Sequence, residues 1–393
     1  MEGTALHRAR YLGEAVTEAV GSHEALGAAL KVQAAELGFS LCGITPPDPS
    51  LHMEYYRAWV GEGRHGEMGY LAREDSLARR ADLTQTLDVV RTVVVVGHEY
   101  FSEDPEGVPE DPSRAVIARY ARGDDYHDVV KKKLVALARW VEEQAAIDLH
   151  ARAYVDTGPI LERDLARRAG LGWFGRNTML INPSRGSYFF VGLLLLDLEL
   201  PADAPFEEDR CGSCRACVDA CPTGALLGRN ETGAPVMDAT RCISYLTIEL
   251  RGAIPEELRP LIGNRVYGCD ICQEACPWNE RFADVTAEPA YRAREGLDGP
   301  SLIELAERLL AVDEAGFRVA FRGSPMKRAK REGLLRNVCV ALGNWGSADA
   351  VPVLTAALGD PSALVREHAA WALGVLGSSE SRLLRGLPKA PNV

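Results

Sequence analysis

Apolar positions along this chain follow a strand-and-helix rhythm in the first half and a purely helical one at the end. Residues 25–39 carry apolar side chains at helical spacing, Gly38 closes the run, and residues 40–44 (Ser-Leu-Cys-Gly-Ile) have strand character. Residues 89–97 form a second strand-length apolar run, and 125–149 a long helix with Leu134, Leu137, Trp140 and Val141 on one face. A third strand is predicted over 151–156, a helix over 160–169 and a fourth strand over 188–198. Strands alternating with helices predict a layered α/β (α+β) domain up to about residue 200. The continuous runs Val93–Gly97 and Val191–Leu196 are far too short to span a bilayer, so both are expected to be buried strands.

Towards the C-terminus the pattern repeats itself. Leu335-Arg-Asn-Val-Cys-Val-Ala-Leu-Gly343 resembles Val365-Arg-Glu-His-Ala-Ala-Trp-Ala-Leu-Gly374, with the Ala-Leu-Gly triplets 31 residues apart. A second amphipathic helix over 350–358, closed by Gly359-Asp360-Pro361, lies between them. Paired helices at this period indicate a HEAT-like repeat. One and a half repeats cannot bury a core alone, so they are expected to pack on the rest of the chain.

Between these parts the cysteines change the picture. Cys211-x2-Cys214-x2-Cys217-x3-Cys221-Pro222 is followed by Cys242 and by Cys269-x2-Cys272-x3-Cys276-Pro277, which puts eight thiols within 66 residues. The first run has the bacterial ferredoxin spacing, in which three close cysteines hold one [4Fe–4S] cluster and the fourth ligates the other. That crossing predicts Cys211, Cys214, Cys217 and Cys276 on one cluster, with Cys221, Cys242, Cys269 and Cys272 on the second. Structural zinc and a disulfide framework are the competing readings. Neither calls for a CxxCxxCxxxCP run.

The expected organisation is an N-terminal extension (1–24), an α/β catalytic domain (25–205), a ferredoxin-like module with two [4Fe–4S] clusters (206–285) and a helical HEAT-like region (286–393). A hydrophobic fraction of 47% and a charged fraction of 25% suit a soluble protein with real cores. The first 21 residues contain His7, Arg8 and Arg10 without an apolar h-region, so a short polar helix is expected there, with no secretion signal. A cytoplasmic protein with no membrane association follows, because reduced thiols persist in that compartment. The net charge of −12 argues mildly against nucleic acid as a partner. Residues 318–336 run against that average, with Arg318, Arg322, Lys327, Arg328, Lys330, Arg331 and Arg336 against the single acid Glu332. Such a run is either a solvated face or a phosphate-binding surface, with Lys327, Arg328, Lys330 and Arg331 its centre. Lys131-Lys132-Lys133 is a weaker candidate.

Two further segments carry chemistry. In Val155-Asp156-Thr-Gly-Pro-Ile-Leu-Glu-Arg163 an Asp ends a strand and precedes a helix, where sheets of layered domains place ligands. Asp156 is either a functional carboxylate or a helix cap. In Gly172-Trp-Phe-Gly-Arg-Asn-Thr-Met-Leu180 the glycines around Asn177 suit either a loop approaching a ligand or a plain turn. His127 is expected to be a hydrogen-bonding cap at a helix start and not a metal ligand, and Cys42 and Cys339 to be core residues. Neither a Walker A loop nor a GxGxxG is present.

Taken together, Tyr120-Ala-Arg-Gly-Asp-Asp-Tyr-His127, the Val155–Arg163 segment, CxxCxxCxxxCPTGA, Arg241-Cys-Ile-Ser-Tyr-Leu-Thr247, Gly263-Asn-Arg-Val-Tyr-Gly-Cys-Asp270 and the terminal repeats resemble the epoxyqueuosine reductase family over about residues 25–377. The resemblance implies reduction of the epoxide of epoxyqueuosine, at the wobble position of tRNA, to the alkene of queuosine, with the oxygen lost as water. It implies base-off cobalamin beside the two clusters, Asp156 as proton donor, and Arg80, Ala118, Asp156, Leu180, Ser244 and Asp270 around the cobalamin. The partners implied are tRNA bearing epoxyqueuosine and an unidentified electron donor, with the protein acting as a monomer. A cobalamin and iron–sulfur reductive dehalogenase is the main alternative, although such enzymes carry a twin-arginine export signal and lack the helical tail. A plain ferredoxin fused to a binding domain would leave the Asp156 segment and the basic run without a role.

Overall fold

The structure is a computed structural model that describes residues 23–384; the N-terminal extension, apart from His23 and Glu24, lies outside the described residues. The first half contains helix α1 (His23–Glu36), strand β1 (Leu41–Thr45), helices α2 (Met53–Gly61) and α3 (Glu74–Ala81), strand β2 (Thr92–Glu99), helix α4 (Tyr126–Ala145), strand β3 (Ala151–Tyr154), helix α5 (Glu162–Arg168) and strand β4 (Phe189–Leu196). The four strands form one sheet in the order β1-β2-β4-β3. Every pairing in it is antiparallel, for instance Val94 with Leu194 and Ala153 with Leu194. The layering expected from the sequence is present, in its α+β sense.

Both central strands are apolar at consecutive positions because both faces of the sheet are covered. Val94, Val96, Leu194 and Leu196 pack with Leu30 of α1 and with Val130, Leu134, Leu137 and Val141 of α4. Val93, Val95, Leu193 and Leu195 point the other way, to Leu165 and Ala166 of α5 and to Leu83, Leu87 and Val90. β3 is an edge strand of 4 residues, and the chain leaves it directly into the loop that carries Asp156.

The cysteine-rich module is built from short pieces. Helical turns Ala216–Asp219 and Ile271–Glu274 face each other, a hairpin pairs Leu226–Arg229 with Pro235–Met237, and Ile243–Ile248 follows Cys242. A parallel pairing of Val116–Ile117 with Arg265–Tyr267 joins the module to the first domain.

The C-terminal helices are α6 (Leu302–Leu310), α7 (Glu314–Ala320), α8 (Lys330–Trp345), α9 (Val351–Ala357) and α10 (Ala363–Leu384). α8 and α10 contain the repeated motif and pack on each other, with α9 between them in sequence. Gly343 is needed at that crossing, since a Cβ on it would lie 2.9 Å from Ala372 Cβ. As expected for so few repeats, their core is shared: Leu334, Val338 and Leu342 join one cluster with Ile117, Ile248, Val266 and Tyr267.

Candidate active site and cluster-binding cavities

The eight cysteines separate into two groups. Cys211, Cys214, Cys217 and Cys276 line a cavity of ≈ 320 Å³ together with Trp278 and Phe282. Burial first, and then Cys211, Cys276 and Cys214, push the Cys217 thiol up to about 11. Cys221, Cys242, Cys269 and Cys272 line a different and much larger cavity. Burial, then Cys269 and Cys242, hold the Cys272 thiol well above its ordinary value. A bound cation such as cluster iron would draw thiols grouped in this way into thiolates. Backbone N–H groups already point at the sulfurs, from Ser244 and Tyr245 to Cys242 and from Trp278 and Asn279 to Cys276. Each of these two cysteines sits immediately before a helix, Cys242 before Ile243–Ile248 and Cys276 before Pro277–Phe282. The donor sets fit two [4Fe–4S] clusters in the crossed pattern.

The large cavity, ≈ 2540 Å³, lies between the α+β domain, the cysteine module and the start of the C-terminal helices. Tyr56, Trp59, Tyr120, Tyr126, Phe174 and Phe190 supply aromatic walls. Asn177 lines both cavities, and its Nδ2 donates to the Cys272 carbonyl at 3.2 Å while its Oδ1 accepts from the Met179 N–H. The loop around Asn177 therefore holds the wall that separates the two cysteine groups.

Asp156 faces this large cavity with a side chain 68% exposed. It does not cap α5, whose N-cap is Leu161 with no side-chain bond. Its backbone takes the left-handed conformation, φ 55°, which is uncommon for a non-glycine residue and marks a held loop. The Asp156 N–H donates to Glu162 Oε1 at 2.8 Å, and the Tyr126 hydroxyl donates to Asp156 Oδ2 at 2.7 Å. Gly158 lets the loop fold over Tyr154, since a Cβ there would lie 2.3 Å from the ring. Burial, then the Asp156 carboxylate, push Glu162 up to about 8. Burial, then Asp156, also raise Tyr126 well above a free phenol.

A charged chain leads away from Asp156. His127 Nε2 lies 4.0 Å from Asp156 Oδ2, and His127 Nδ1 is 2.6 Å from Asp125 Oδ1. Lys327 Nζ donates to Asp125 Oδ2 at 2.8 Å. Against the opposing effect of burial, His127 and Lys327 hold the Asp125 carboxyl well below the usual carboxylate range. Asp125 is also the N-cap of α4, so the cap expected of His127 belongs to its neighbour. Sequence reasoning missed Glu162, Tyr126 and Asp125, although all three stand in the quoted motifs.

The remaining expected residues divide. Arg80, Ser244 and Asp270 line the large cavity. Arg80 lies over the Tyr56 ring at 5.2 Å, and the Asp270 carboxylate accepts from the Arg119 N–H at 2.8 Å. Ala118 and Leu180 stand back from it. Ala118 is buried against Gly268, and Leu180 belongs to the core beneath the sheet, so Tyr120 and Met179 present side chains in their place.

The basic run is also split. Lys327, Arg328 and Lys330 are exposed on the rim of the large cavity, with Arg328 held bidentately by Glu249 and stacked over Tyr70. Arg331 corrects the expectation. It is buried, bonded to the Asp360 carboxylate and to the Leu309 and Val312 carbonyls, and is not free to reach a phosphate. Arg336 is fully buried and donates to the Leu246, Leu250 and Gly252 carbonyls. Of the lysine triplet, Lys133 is committed to Leu37 O and Glu288.

Three regions match known families: residues 80–157 the family described as epoxyqueuosine reductase QueG, DUF1730, residues 210–279 a 4Fe-4S double cluster binding domain, and residues 326–387 HEAT repeats. The epoxyqueuosine reductase of Pseudomonas aeruginosa is 43% identical over 353 residues, covering 88% of this chain and 94% of that protein. That of Escherichia coli K12 is 42% identical over 340 residues, 86% of each chain. A crystal structure of epoxyqueuosine reductase with a tRNA-Tyr epoxyqueuosine-modified tRNA stem loop superposes with a TM-score of 0.80 at 30% identity, covering 94% of this chain and 96% of that one.

Proposed function

The chain belongs to the epoxyqueuosine reductase family, and from that membership we propose how its residues reduce epoxyqueuosine to queuosine in tRNA. The reaction takes two electrons and two protons, and the epoxide oxygen leaves as water. One observation carries the reading: the exposed Asp156 carboxylate and the thiols Cys221, Cys242, Cys269 and Cys272 line the same cavity. A proton donor and an electron outlet thus meet in one chamber.

The cavity exceeds the roughly 300–1,000 Å³ of an ordinary ligand pocket, which supports the binding of base-off cobalamin and a nucleotide together. Cobalamin supplies a reducible cobalt able to receive electrons from the clusters one at a time. Arg80, Ser244, Asp270 and the aromatic walls would hold it, with Tyr120 and Met179 beside them. Asp156, steered by Tyr126 and by its bond to Glu162, delivers the proton to the departing oxygen. Closure of the chamber by substrate removes water, so that the proton of Asp156 passes to the departing oxygen and not to solvent.

Lys327, Arg328 and Lys330 serve the phosphates of the substrate tRNA, in keeping with the stem-loop complex of the structural relative. Cys214 is the exposed member of its group, so the outer cluster that this group would hold is the one an electron donor could reach, with Asn177 on the wall between it and the inner group. Among the described residues no helix is long and apolar enough to cross a membrane. A tRNA substrate and reduced thiols fit action in the cytoplasm, as a monomer. The dehalogenase alternative is set aside, because the relatives that match most of the chain are epoxyqueuosine reductases.

The test is Asp156→Asn in single-turnover conversion of an epoxyqueuosine stem loop. General acid catalysis contributes about 10²–10⁴-fold, and a loss of that order is expected with cobalamin and iron content unchanged. Turnover near the wild-type rate would remove Asp156 from the mechanism.

A further inference from the structure

The reaction consumes two protons and Asp156 carries one. Once substrate fills the chamber, bulk water is displaced from the carboxylate, and the second proton has to come through a protein group. The neighbours of Asp156 differ sharply in what they can give. Tyr126 donates a hydrogen bond to Asp156 Oδ2 at 2.7 Å, but the buried phenol beside that carboxylate holds its proton tightly, so it orients the acid without recharging it. Glu162 reaches the main-chain N–H of Asp156 and not its carboxylate, so it sets the loop. Arg163, Tyr70 and Tyr120 also feel the Asp156 charge, but a guanidinium and phenols are weak acids, whereas His127 offers an imidazole with Nε2 4.0 Å from Asp156 Oδ2 and a side chain 31% exposed.

We propose that His127, seated by Asp125, is the relay that returns a proton to Asp156 within the turnover. This rests on the reading of Asp156 as the acid. The imidazole is fixed from behind by the Asp125 carboxylate at Nδ1, 2.6 Å, and from the side by the Tyr126 ring, stacked at 4.0 Å. Asp125 in turn is pinned by Lys327 from the C-terminal region. An imidazole held at Nδ1 by a carboxylate presents Nε2 as its working atom, and the carboxylate stabilises the imidazolium. The 4.0 Å gap closes to hydrogen-bond length with about 1 Å of side-chain movement, which the exposed Asp156 side chain can make.

Two proton transfers complete the step. The Asp156 O–H bond breaks as the departing epoxide oxygen takes its proton. The carboxylate then forms a new O–H bond with the proton from His127 Nε2, the N–H bond breaks, and the oxygen takes that second proton to leave as water. The neutral imidazole is refilled from solvent once product leaves the chamber that it lines. Both electrons belong to the reduction itself and do not pass through these residues. Because Lys327 stands in the basic rim, a phosphate arriving there bears on the same chain of contacts that ends at Asp156.

The experiment is a pH series of single-turnover rates for the holoenzyme and for His127→Gln, with cobalamin content followed by its visible absorbance. The relay requires a proton on the imidazole, so the wild-type rate falls on the alkaline side as that proton is lost. The charged groups facing His127 are Asp125, Asp156 and, through Asp125, Lys327. His127→Gln should lose about 10²-fold in rate, at the lower end for acid–base groups. It should also lose the alkaline limb and regain several-fold activity with added imidazole. A rate and profile like wild type would overturn the proposal, as would a slow variant that keeps the wild-type limb and ignores imidazole. Should His127→Gln fail to fold, Asp125→Asn decides, since Asn caps a helix about as well as Asp. It frees the imidazole from its seat, so it should slow turnover and change the alkaline limb, and a wild-type rate with a wild-type limb counts against the relay. Asp156→Asn, run in parallel, separates the two readings. A dead Asp156→Asn with a normal His127→Gln sinks the relay alone, whereas an active Asp156→Asn sinks the acid assignment beneath it.

Discussion

Arg331 and its neighbours in sequence should respond to mutation in opposite ways. Arg331→Leu removes a guanidinium that donates to Asp360 Oδ2 at 2.6 Å, to Leu309 O at 2.9 Å and to Val312 O at 2.6 Å. The side chains of Arg331 and Asp360 are 9% and 1% exposed, so the substitution strands a buried carboxylate. Breaking one partner of such a pair costs about 3–5 kcal/mol. For a cooperative unit of the size of these helices and the core they share, that lowers Tm by on the order of 10 °C. Thermal unfolding followed by circular dichroism reads the stability, and fluorescence anisotropy with a labelled stem loop reads RNA affinity at a temperature where the variant is folded. The double variant Arg331→Leu/Asp360→Leu should recover much of the loss, because an apolar pair replaces a buried ion pair at little net cost. An Arg331→Leu protein with wild-type Tm and weakened RNA binding would refute the reasoning and return this residue to the phosphate-binding set.

Anaerobic analysis of the reconstituted protein should give about eight irons per chain, as two [4Fe–4S] clusters require, and Cys276→Ala should lose about half. A value near four in the wild type, or stoichiometric zinc, would contradict the two-cluster assignment. Lys327, Arg328 and Lys330 changed together to Glu should weaken stem-loop binding and flatten its salt dependence. The log–log slope falls by about 0.7–0.9 for each phosphate the protein no longer neutralises, while an unchanged slope would make the rim a solvated surface. Trp173 Nε1 donates to Cys211 Sγ at 3.4 Å, and hydrogen bonds to cluster sulfurs favour the reduced state. Trp173→Phe should therefore lower one of two midpoint potentials in a spectroscopic redox titration and leave the other in place. Glu162 is raised from 4.5 to about 8, so its contribution to stability is full at acid pH and lost as pH rises through the folded value. Glu162→Gln keeps the acceptor for the Asp156 N–H and cannot ionise, so its Tm relative to wild type should rise between about pH 5 and pH 9. A pH-independent difference would place Glu162 outside that balance.

Much of the architecture is written in local pattern. The Val and Leu runs of β2 and β4 are apolar on consecutive positions because both faces are buried, and the helices before and between them follow ordinary spacing. The cysteine spacing anticipated which thiols share a cavity because each group is built around a tight CxxC turn, Cys211–Cys217 in one and Cys269–Cys272 in the other. Long-range partners were not legible. Nothing near Arg331 announces Asp360, 29 residues on, so a buried arginine and a solvated one look alike in a basic run. Likewise Lys327 meets Asp125 across 202 residues, and that link ties the basic segment to the Asp156 site. Strand order was equally hidden, since alternation of strands and helices does not fix whether neighbours run parallel or antiparallel. Ala118 and Leu180 fell one or two residues from the side chains that line the cavity, Tyr120 and Met179, because a resemblance locates a segment more surely than the direction of a side chain.

The central claim is that one chamber joins a cluster, cobalamin and Asp156 to reduce the substrate. Its most direct measurement is mass-resolved nucleoside analysis of an epoxyqueuosine stem loop, incubated anaerobically with the reductant-supplied protein carrying both clusters, with and without cobalamin. The account predicts loss of one oxygen from the modified nucleoside, giving queuosine, only when cobalamin is bound. Conversion at the same rate without cobalamin, or an intact epoxide with every component present, would contradict it.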